Sequence, residues 1–340
     1  MGTPKRNNTI DLLRFAAALW VAIYHFHAKS NINNFWISLF KEGWLGVPIF
    51  FVVSGYCIAI ALNHSATPMQ FLIRRIFRIY PAYWASLGIV LFIIGGYTAI
   101  YHVNSIIAIP KTIGGALCTF FLITKPFNDV ELINGVYWTL PYEISFYVVV
   151  FIASYLSERW FRASLVIITL VCCVVPEISS GPFIFLNQWP IFALGFAIHN
   201  ILHKNIDFPI LNYGFLCAAL AALCFSAQSV YIPLASIVTC SLIVIDDRYP
   251  LRESFLTRLG DLSYSIYLLH LPIGVYLFGW VRQNQVIESS EFLNFIVDLL
   301  LVLNIALISK VVHQYIEVPG INIGKKLTSS SRQFNFFKPR

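Results

Sequence analysis

Arg14 and His25 stand eleven residues apart in the first apolar stretch of the chain. At about 100° per residue, eleven residues close to within about 20° of three full turns, so a helix carries both on one face, roughly 16 Å apart along its axis. A guanidinium grips oxyanions through a planar fork, and an imidazole exchanges a proton near neutral pH. One reading is a polar stripe facing the interior of a bundle. The plainer reading is two residues satisfied by packing or loop contacts. Glu143 follows in Trp138-Thr139-Leu140-Pro141-Tyr142-Glu143. By residue rise it sits about 10 Å deep, and His25 sits about 5 Å from the outer end of its helix, so the two are expected to share a layer. A buried carboxylate beside an imidazole raises its basicity and fixes its tautomer, as general-base activation of a hydroxyl requires. Otherwise each is a structural group held by backbone carbonyls.

Other candidates carry weaker signals. Arg74, Arg75 and Arg78 form a basic cluster at the inner end of the third apolar run. It reads as a topology anchor on lipid phosphates or as a phosphate clamp for a cytoplasmic nucleotide-like ligand. His270 lies in mid-run, two residues before Pro272, and serves either to stabilise a kink or to line a substrate path. Asp298 has no obvious partner, and Glu317 is expected to pair with a basic loop residue. The seven cysteines all lie in apolar stretches without metal-ligand spacing, and read as small buried apolar residues rather than ligands or disulfides.

These groups need elements that place them in an apolar medium, and the composition supplies that medium. Of 340 residues, 58% are hydrophobic and only 11% are charged, against about 25% charged in soluble domains. A soluble enzyme, a disordered tail, a disulfide-knit module and a nucleic-acid-binding domain are excluded. The net charge of +7 is read as topological. Ten apolar runs approach the roughly 20 residues a membrane helix needs: 10–28, 43–63, 79–100, 136–156, 163–176, 188–202, 209–226, 229–245, 262–280 and 293–316. The boundary between the seventh and eighth is expected near Ser226-Ala227-Gln228-Ser229. The short stretch 113–123 reads as re-entrant or interfacial. With the N-terminus inside, sixteen Lys and Arg fall on inner segments and five, Lys29, Lys41, Lys111, Lys125 and Arg282, on outer ones. That bias predicts an all-α polytopic bundle of about ten transmembrane helices with both termini cytoplasmic. No cleavable signal peptide and no extramembrane domain are evident. The chain divides into a membrane domain, 1–320, and a basic cytoplasmic tail, 321–340.

The ordered motifs resemble the membrane-bound acyltransferase 3 family. The matching blocks are Ile10-Asp11-Leu12-Leu13-Arg14 with His25, Phe50-Phe51-Val52-Val53-Ser54-Gly55-Tyr56, Arg74-Arg75-Ile76-Phe77-Arg78-Ile79-Tyr80-Pro81, Trp138-Thr139-Leu140 with Glu143, Ser263-Tyr264-Ser265-Ile266-Tyr267-Leu268-Leu269-His270, and Glu317-Val318-Pro319. Phe15, Tyr56 and Thr139 depart from the usual residues without removing a reactive group. The resemblance implies an O-acyltransferase, commonly an O-acetyltransferase, of the bacterial inner membrane. Its donor would be acetyl-CoA or another acyl-CoA, a substrate rather than a bound cofactor. Its acceptor would be a hydroxyl of a cell-surface carbohydrate or glycolipid, such as O-antigen, exopolysaccharide or a lipid-linked oligosaccharide. The resemblance also implies that His25, Glu143 and Arg14 form the catalytic centre. Arg74, Arg75 and Arg78 are then expected to meet the donor phosphates, with Ser54, Tyr142 and His270 along the substrate path. Membrane lipids surround the chain, and neither a metal nor nucleic acid is expected. Buried Arg, His and Glu are also the marks of a proton-coupled transporter or flippase. A third possibility is an acyl shuttle serving a separate extracytoplasmic transferase.

Overall fold

The computed structural model describes residues 6–28, 35–101, 109–175, 177–203, 208–226, 229–279, 281, 284, 287 and 289–329. The described residues form helices and turns with no strand. Helix α1 (Asn8–His27) opens with Asn7, whose side chain accepts from the Ile10 amide at 2.9 Å. That bond satisfies one of the amides a helix start leaves without a partner. A short helix α2 (Phe35–Phe40) leads through a tight turn into α3 (Gly46–Asn63), followed by the 34-residue α4 (Pro68–Tyr101). Then come α5 (Ile113–Phe120), α6 (Thr139–Ala153), α7 (Glu158–Val174), α8 (Trp189–Leu202), α9 (Pro209–Ser226) and α10 (Tyr231–Arg248). The chain continues with α11 (Phe255–Leu259), α12 (Ser263–Leu269), α13 (Glu291–Val312) and α14 (Val318–Leu327).

Each of the ten apolar runs falls on a helical segment. Among the described residues, five stretches are long and apolar enough to cross a membrane: Asn8–His27, Phe35–Asn63, Pro68–Ile100, Gly135–Ala153 and Glu291–Leu327. Trp189–Leu202 and Pro209–Phe225 are apolar but shorter. The chain is therefore a helical membrane protein. The centre of the expected turn at 226–229, the cations Lys29 and Arg282, and the tail beyond residue 329 lie outside the described residues.

Two helices meet backbone to backbone. A Cβ on Gly55 of α3 would come 2.0 Å from the carbonyl oxygen of Phe192, and one on Gly195 of α8 would come 1.9 Å from that of Val52. Membrane helices gain no hydrophobic drive from lipid, so close contact at small residues supplies much of their association. The stacked rings of Phe51, Phe192 and Phe146 fill the space beside this crossing.

The segment before α6 packs against the middle of α4. Helix α5 is capped by Thr112, whose side chain accepts from the Gly115 amide at 3.0 Å. The turn after it is held from the middle of α4. Tyr83 donates to the Thr119 carbonyl at 2.5 Å, Trp84 to Phe120 at 3.1 Å and Tyr80 to Phe121 at 2.9 Å. Backbone carbonyls at such depth need protein donors, because lipid offers none. Within 113–123 only Thr119 and Leu122 are buried, so the stretch lies along α4 with most of its side chains exposed. The chain then passes Asn134, whose side-chain amide donates to Leu268 O at 3.2 Å, and reaches Tyr137, whose hydroxyl pairs with Ser86 at 2.8 Å. Helix α6 therefore begins level with the middle of α4, not at its outer end.

After α12 the backbone widens into a π-helical stretch, His270–Leu277. Pro272 has no N–H to give to Leu268 O. Ser86 Oγ and Asn134 Nδ2 donate to that carbonyl instead, at 3.1 and 3.2 Å.

Two acidic residues have partners that differ from expectation. Asp298 of α13 is buried and accepts from Trp36 Nε1 at 2.7 Å, and it pairs with His27 Nε2 at 2.8 Å. Its partners are far away in sequence, on α1 and α2, and no local spacing reveals them. Glu317 meets Ser265 Oγ at 2.9 Å and His313 Nδ1 at 3.1 Å, not a basic loop residue. A second π-helical stretch, His313–Glu317, turns it inward toward α12.

Gly55→Ala and Gly195→Ala are each expected to cost about 1–3 kcal/mol or more through overpacking. Both should lower the thermal midpoint in detergent. Gly214→Ala, where an added Cβ meets nothing within 4 Å, should leave it nearly unchanged.

Candidate functional site

A cavity lies among α1, α3, α4, α6 and α12. Arg14 enters it from α1, Ser54 and Cys57 from α3, Arg75 and Arg78 from α4, Thr139, Glu143 and Tyr147 from α6, and Tyr264 and Tyr267 from α12. The helices place these groups by period. Arg75 and Arg78 are three apart, as are Tyr264 and Tyr267, and Thr139, Glu143 and Tyr147 are each four apart. Residues three or four apart share one helix face.

Glu143 is held by two hydroxyls on one oxygen. Ser54 Oγ donates to Oε1 at 2.8 Å and Tyr147 OH donates to the same atom at 2.5 Å. Some helical serines turn back on their own helix, as Ser145 does to Pro141 O and Ser236 to Ile232 O. Ser54, like Ser86 and Ser265, reaches across a helix interface. Among the described residues Arg14, Arg75 and Arg78 form no salt bridge, and Glu143 is the one carboxylate in the cavity wall. Arg75 lies over the Tyr147 ring at 6.0 Å, and its buried Nε has no hydrogen-bond partner. Three guanidinium charges thus share a poorly solvated space with Glu143, while buried Glu317 acts on Arg14 and Arg78 from outside the cavity wall. Such a space attracts an anion strongly.

Arg74 does not join them. Its Nε donates to Thr328 Oγ1 at 2.9 Å and its Nη1 to His64 O at 3.0 Å, which ties α4 to the segment after α14. The basic cluster divides although Arg74 and Arg78, four apart, share a face of α4, because Thr328 and His64 hold the Arg74 guanidinium away from the cavity.

His25 lies outside the cavity wall, and its partner is not Glu143. Its Nδ1 is 2.8 Å from Val21 O and 3.3 Å from His270 Nε2. A carbonyl oxygen only accepts, so in the neutral ring Nδ1 carries the proton and Nε2 keeps its lone pair. The His270 nitrogen then shares that N–H as a second acceptor. The expected His25–Glu143 layer is corrected by the depth at which α6 starts. Thr139 meets Tyr267 at 2.9 Å, and Glu143, one turn further along α6, faces the cavity with Tyr264, one turn back on α12. His270 is one turn the other way. Glu143 and the imidazole pair are consequently offset by roughly 10 Å along the bundle. Glu143 belongs to the level of Arg14 and His25 to that of His270.

Two further expectations change. Tyr142 is buried among the rings of Phe51, Phe127 and Trp138, so it packs the core instead of lining the cavity. His270 is fully buried and touches His25, not the cavity. The wall also contains residues not singled out from sequence. Tyr147 and Tyr264 sit at helical spacing from recognised residues, a usable signal. Cys57 lay in an apolar run and gave none.

A family model described as "Acyltransferase domain" matches residues 7–312 of this chain. The chain is similar to Nodulation protein 10 of Rhizobium leguminosarum bv. viciae, 24% identical over 81% of this chain and 85% of that protein. It is similar to the exopolysaccharide production protein ExoZ of Rhizobium meliloti (strain 1021), 26% identical over 72% and 80%. It is also similar to O-acetyltransferase OatA of Staphylococcus aureus (strain NCTC 8325 / PS 47), 25% identical over 94% of this chain and 58% of that protein. No solved structure matches the chain.

The His25 tautomer can be read directly. Histidine-selective nitrogen NMR, with the His25 signals assigned by their loss in His25→Gln, should show a protonated Nδ1 and a bare Nε2 near neutral pH. The opposite tautomer would contradict the contact with Val21.

Proposed function

The chain belongs to the acyltransferase 3 family and is an acyl-transferring membrane enzyme, and from that premise we propose that it carries an acyl group, commonly acetyl, from a cytoplasmic acyl-coenzyme A to a hydroxyl of a cell-surface carbohydrate. The observation that supports the donor is the charge of the cavity, where three guanidiniums face a single carboxylate. A thioester whose far end bears phosphates matches that charge. In this reading Arg75 and Arg78 receive the phosphates, the pantetheine arm passes Arg14, and Glu143 accepts hydrogen bonds from the arm's amides. Arg74, already bonded to Thr328 and His64, braces the mouth without touching the donor.

The reaction takes place at the imidazole pair. With its proton on Nδ1, His25 offers Nε2 as general base to the acceptor hydroxyl. The hydroxyl oxygen attacks the thioester carbonyl, its proton passes to Nε2, and the carbon–sulfur bond breaks. The thiolate then takes the proton from the imidazolium. His270 supports the tautomer that makes this possible. Ten spans, cytoplasmic termini and residence in the bacterial inner membrane complete the proposal, because a cytosolic donor must reach an acceptor on the outer side. Relatives named for exopolysaccharide production and O-acetyl transfer support the acceptor class.

The test uses purified full-length protein, radiolabelled acetyl-coenzyme A and extracted surface polysaccharide, with label transfer and donor binding followed separately. His25→Ala should lower turnover at least about 100-fold with donor binding near wild type. Arg75→Ala combined with Arg78→Ala should weaken donor binding about tenfold or more, and Arg74→Ala should change it less than about twofold. Full turnover in His25→Ala would remove the base assignment, and normal donor binding in the double variant would remove the clamp.

A further inference from the structure

The guanidinium-lined cavity stops one side chain short of the imidazoles. Tyr267 forms part of its wall. Against the phenol ring lies the ring of His270, with centroids 5.7 Å apart, and His270 is bonded in turn to His25. The phenol is held from several sides. Its hydroxyl lies 2.9 Å from Thr139 Oγ1 and donates to Val136 O at 3.1 Å. Phe50 packs edge-on against the ring at a centroid distance of 5.5 Å. The residue is buried, and it stands in the last α-helical turn before the backbone widens into the π-helical stretch at His270.

We propose that Tyr267 is the specificity-determining partition between the donor cavity and His25, and that its ring sorts acyl donors by the bulk of the acyl chain. This rests on the donor reading above. A thioester arm entering phosphate-last presents its acyl chain first, so the chain meets the phenol before the carbonyl can reach His25. A two-carbon chain needs the ring to swing only slightly from Thr139 and Val136. A longer chain must displace the ring and also find room beyond it. Discrimination by steric bulk in an apolar passage is large when an unyielding side chain defines the passage. Two hydroxyl contacts and a packed neighbouring ring make Tyr267 such a side chain. The π-helical segment beside it supplies backbone able to give locally, as such segments often do at functional sites.

The experiment uses full-length protein in detergent with extracted surface polysaccharide and acetyl-, butyryl- or hexanoyl-coenzyme A, following thiol release. Each turnover consumes one thioester and one acceptor hydroxyl and yields one ester and one thiol. Tyr267→Ala is expected to raise the butyryl-to-acetyl ratio of kcat/KM about tenfold over wild type. Tyr267→Phe keeps the ring and loses its hydroxyl contacts, and should raise the ratio roughly threefold. The phenylalanine variant carries the test if the alanine variant fails to elute as a folded species. A purely structural role would lower both rates together and leave the ratio alone. A ratio that stays below about twofold of wild type in a folded variant overturns the partition. Wild-type protein that releases thiol from none of the three donors would instead overturn the donor reading itself.

Discussion

Three guanidinium groups and one carboxylate share a cavity walled by lipid-embedded helices, and much of the architecture answers to that charge. Charges at this depth are costly unless something accepts them. The chain supplies hydroxyls to Glu143, from Ser54 and Tyr147, and among the described residues Arg14, Arg75 and Arg78 form no salt bridge, while the Glu317 charge acts on Arg14 and Arg78 from nearby. The excess positive charge is held in place by helices that cannot easily relax around it. Helices α3 and α8 touch through Gly55 and Gly195, and α6 starts level with the middle of α4, where Tyr137 meets Ser86. The cavity is thereby preorganised to receive an anion.

The imidazole pair is set apart from this charge, which suits its chemistry. A base surrounded by guanidiniums would resist protonation, and one beside a carboxylate would hold its proton tightly. His25 has neither neighbour in hydrogen-bond contact. It has a carbonyl and a second imidazole, which orient the ring without adding a fixed charge. The guanidinium-lined cavity and the imidazole pair thus occupy two levels of one bundle, with Tyr267 between them.

Much of this was legible in the sequence, and the misses share one cause. Hydropathy located each of the ten apolar runs, because a helix in lipid must be apolar over most of its length. The eleven-residue spacing placed Arg14 and His25 along one helix. Depth was harder. Glu143 was placed by counting inward from the edge of its apolar run, which assumes that the run begins at the membrane surface. The segment from Ile113 to Trp138 is held first against the middle of α4, by the donors Tyr80, Tyr83 and Trp84 on that helix. Contacts of that kind leave no local periodicity. The same holds for Asp298, whose partners are His27 and Trp36, and for Arg74, whose partner Thr328 is 254 positions away.

That last contact has a bearing on biosynthesis. Helix α14 rests Gly320 against Pro81 and Gly324 against Phe77, and Thr328 joins both Gln70 and Arg74. This contact therefore joins a segment translated early to one translated more than two hundred residues later. While the nascent protein is still being made, the face of α4 around Phe77 and Pro81 has no α14 against it, so this packing forms only once residues 318–328 have been synthesised.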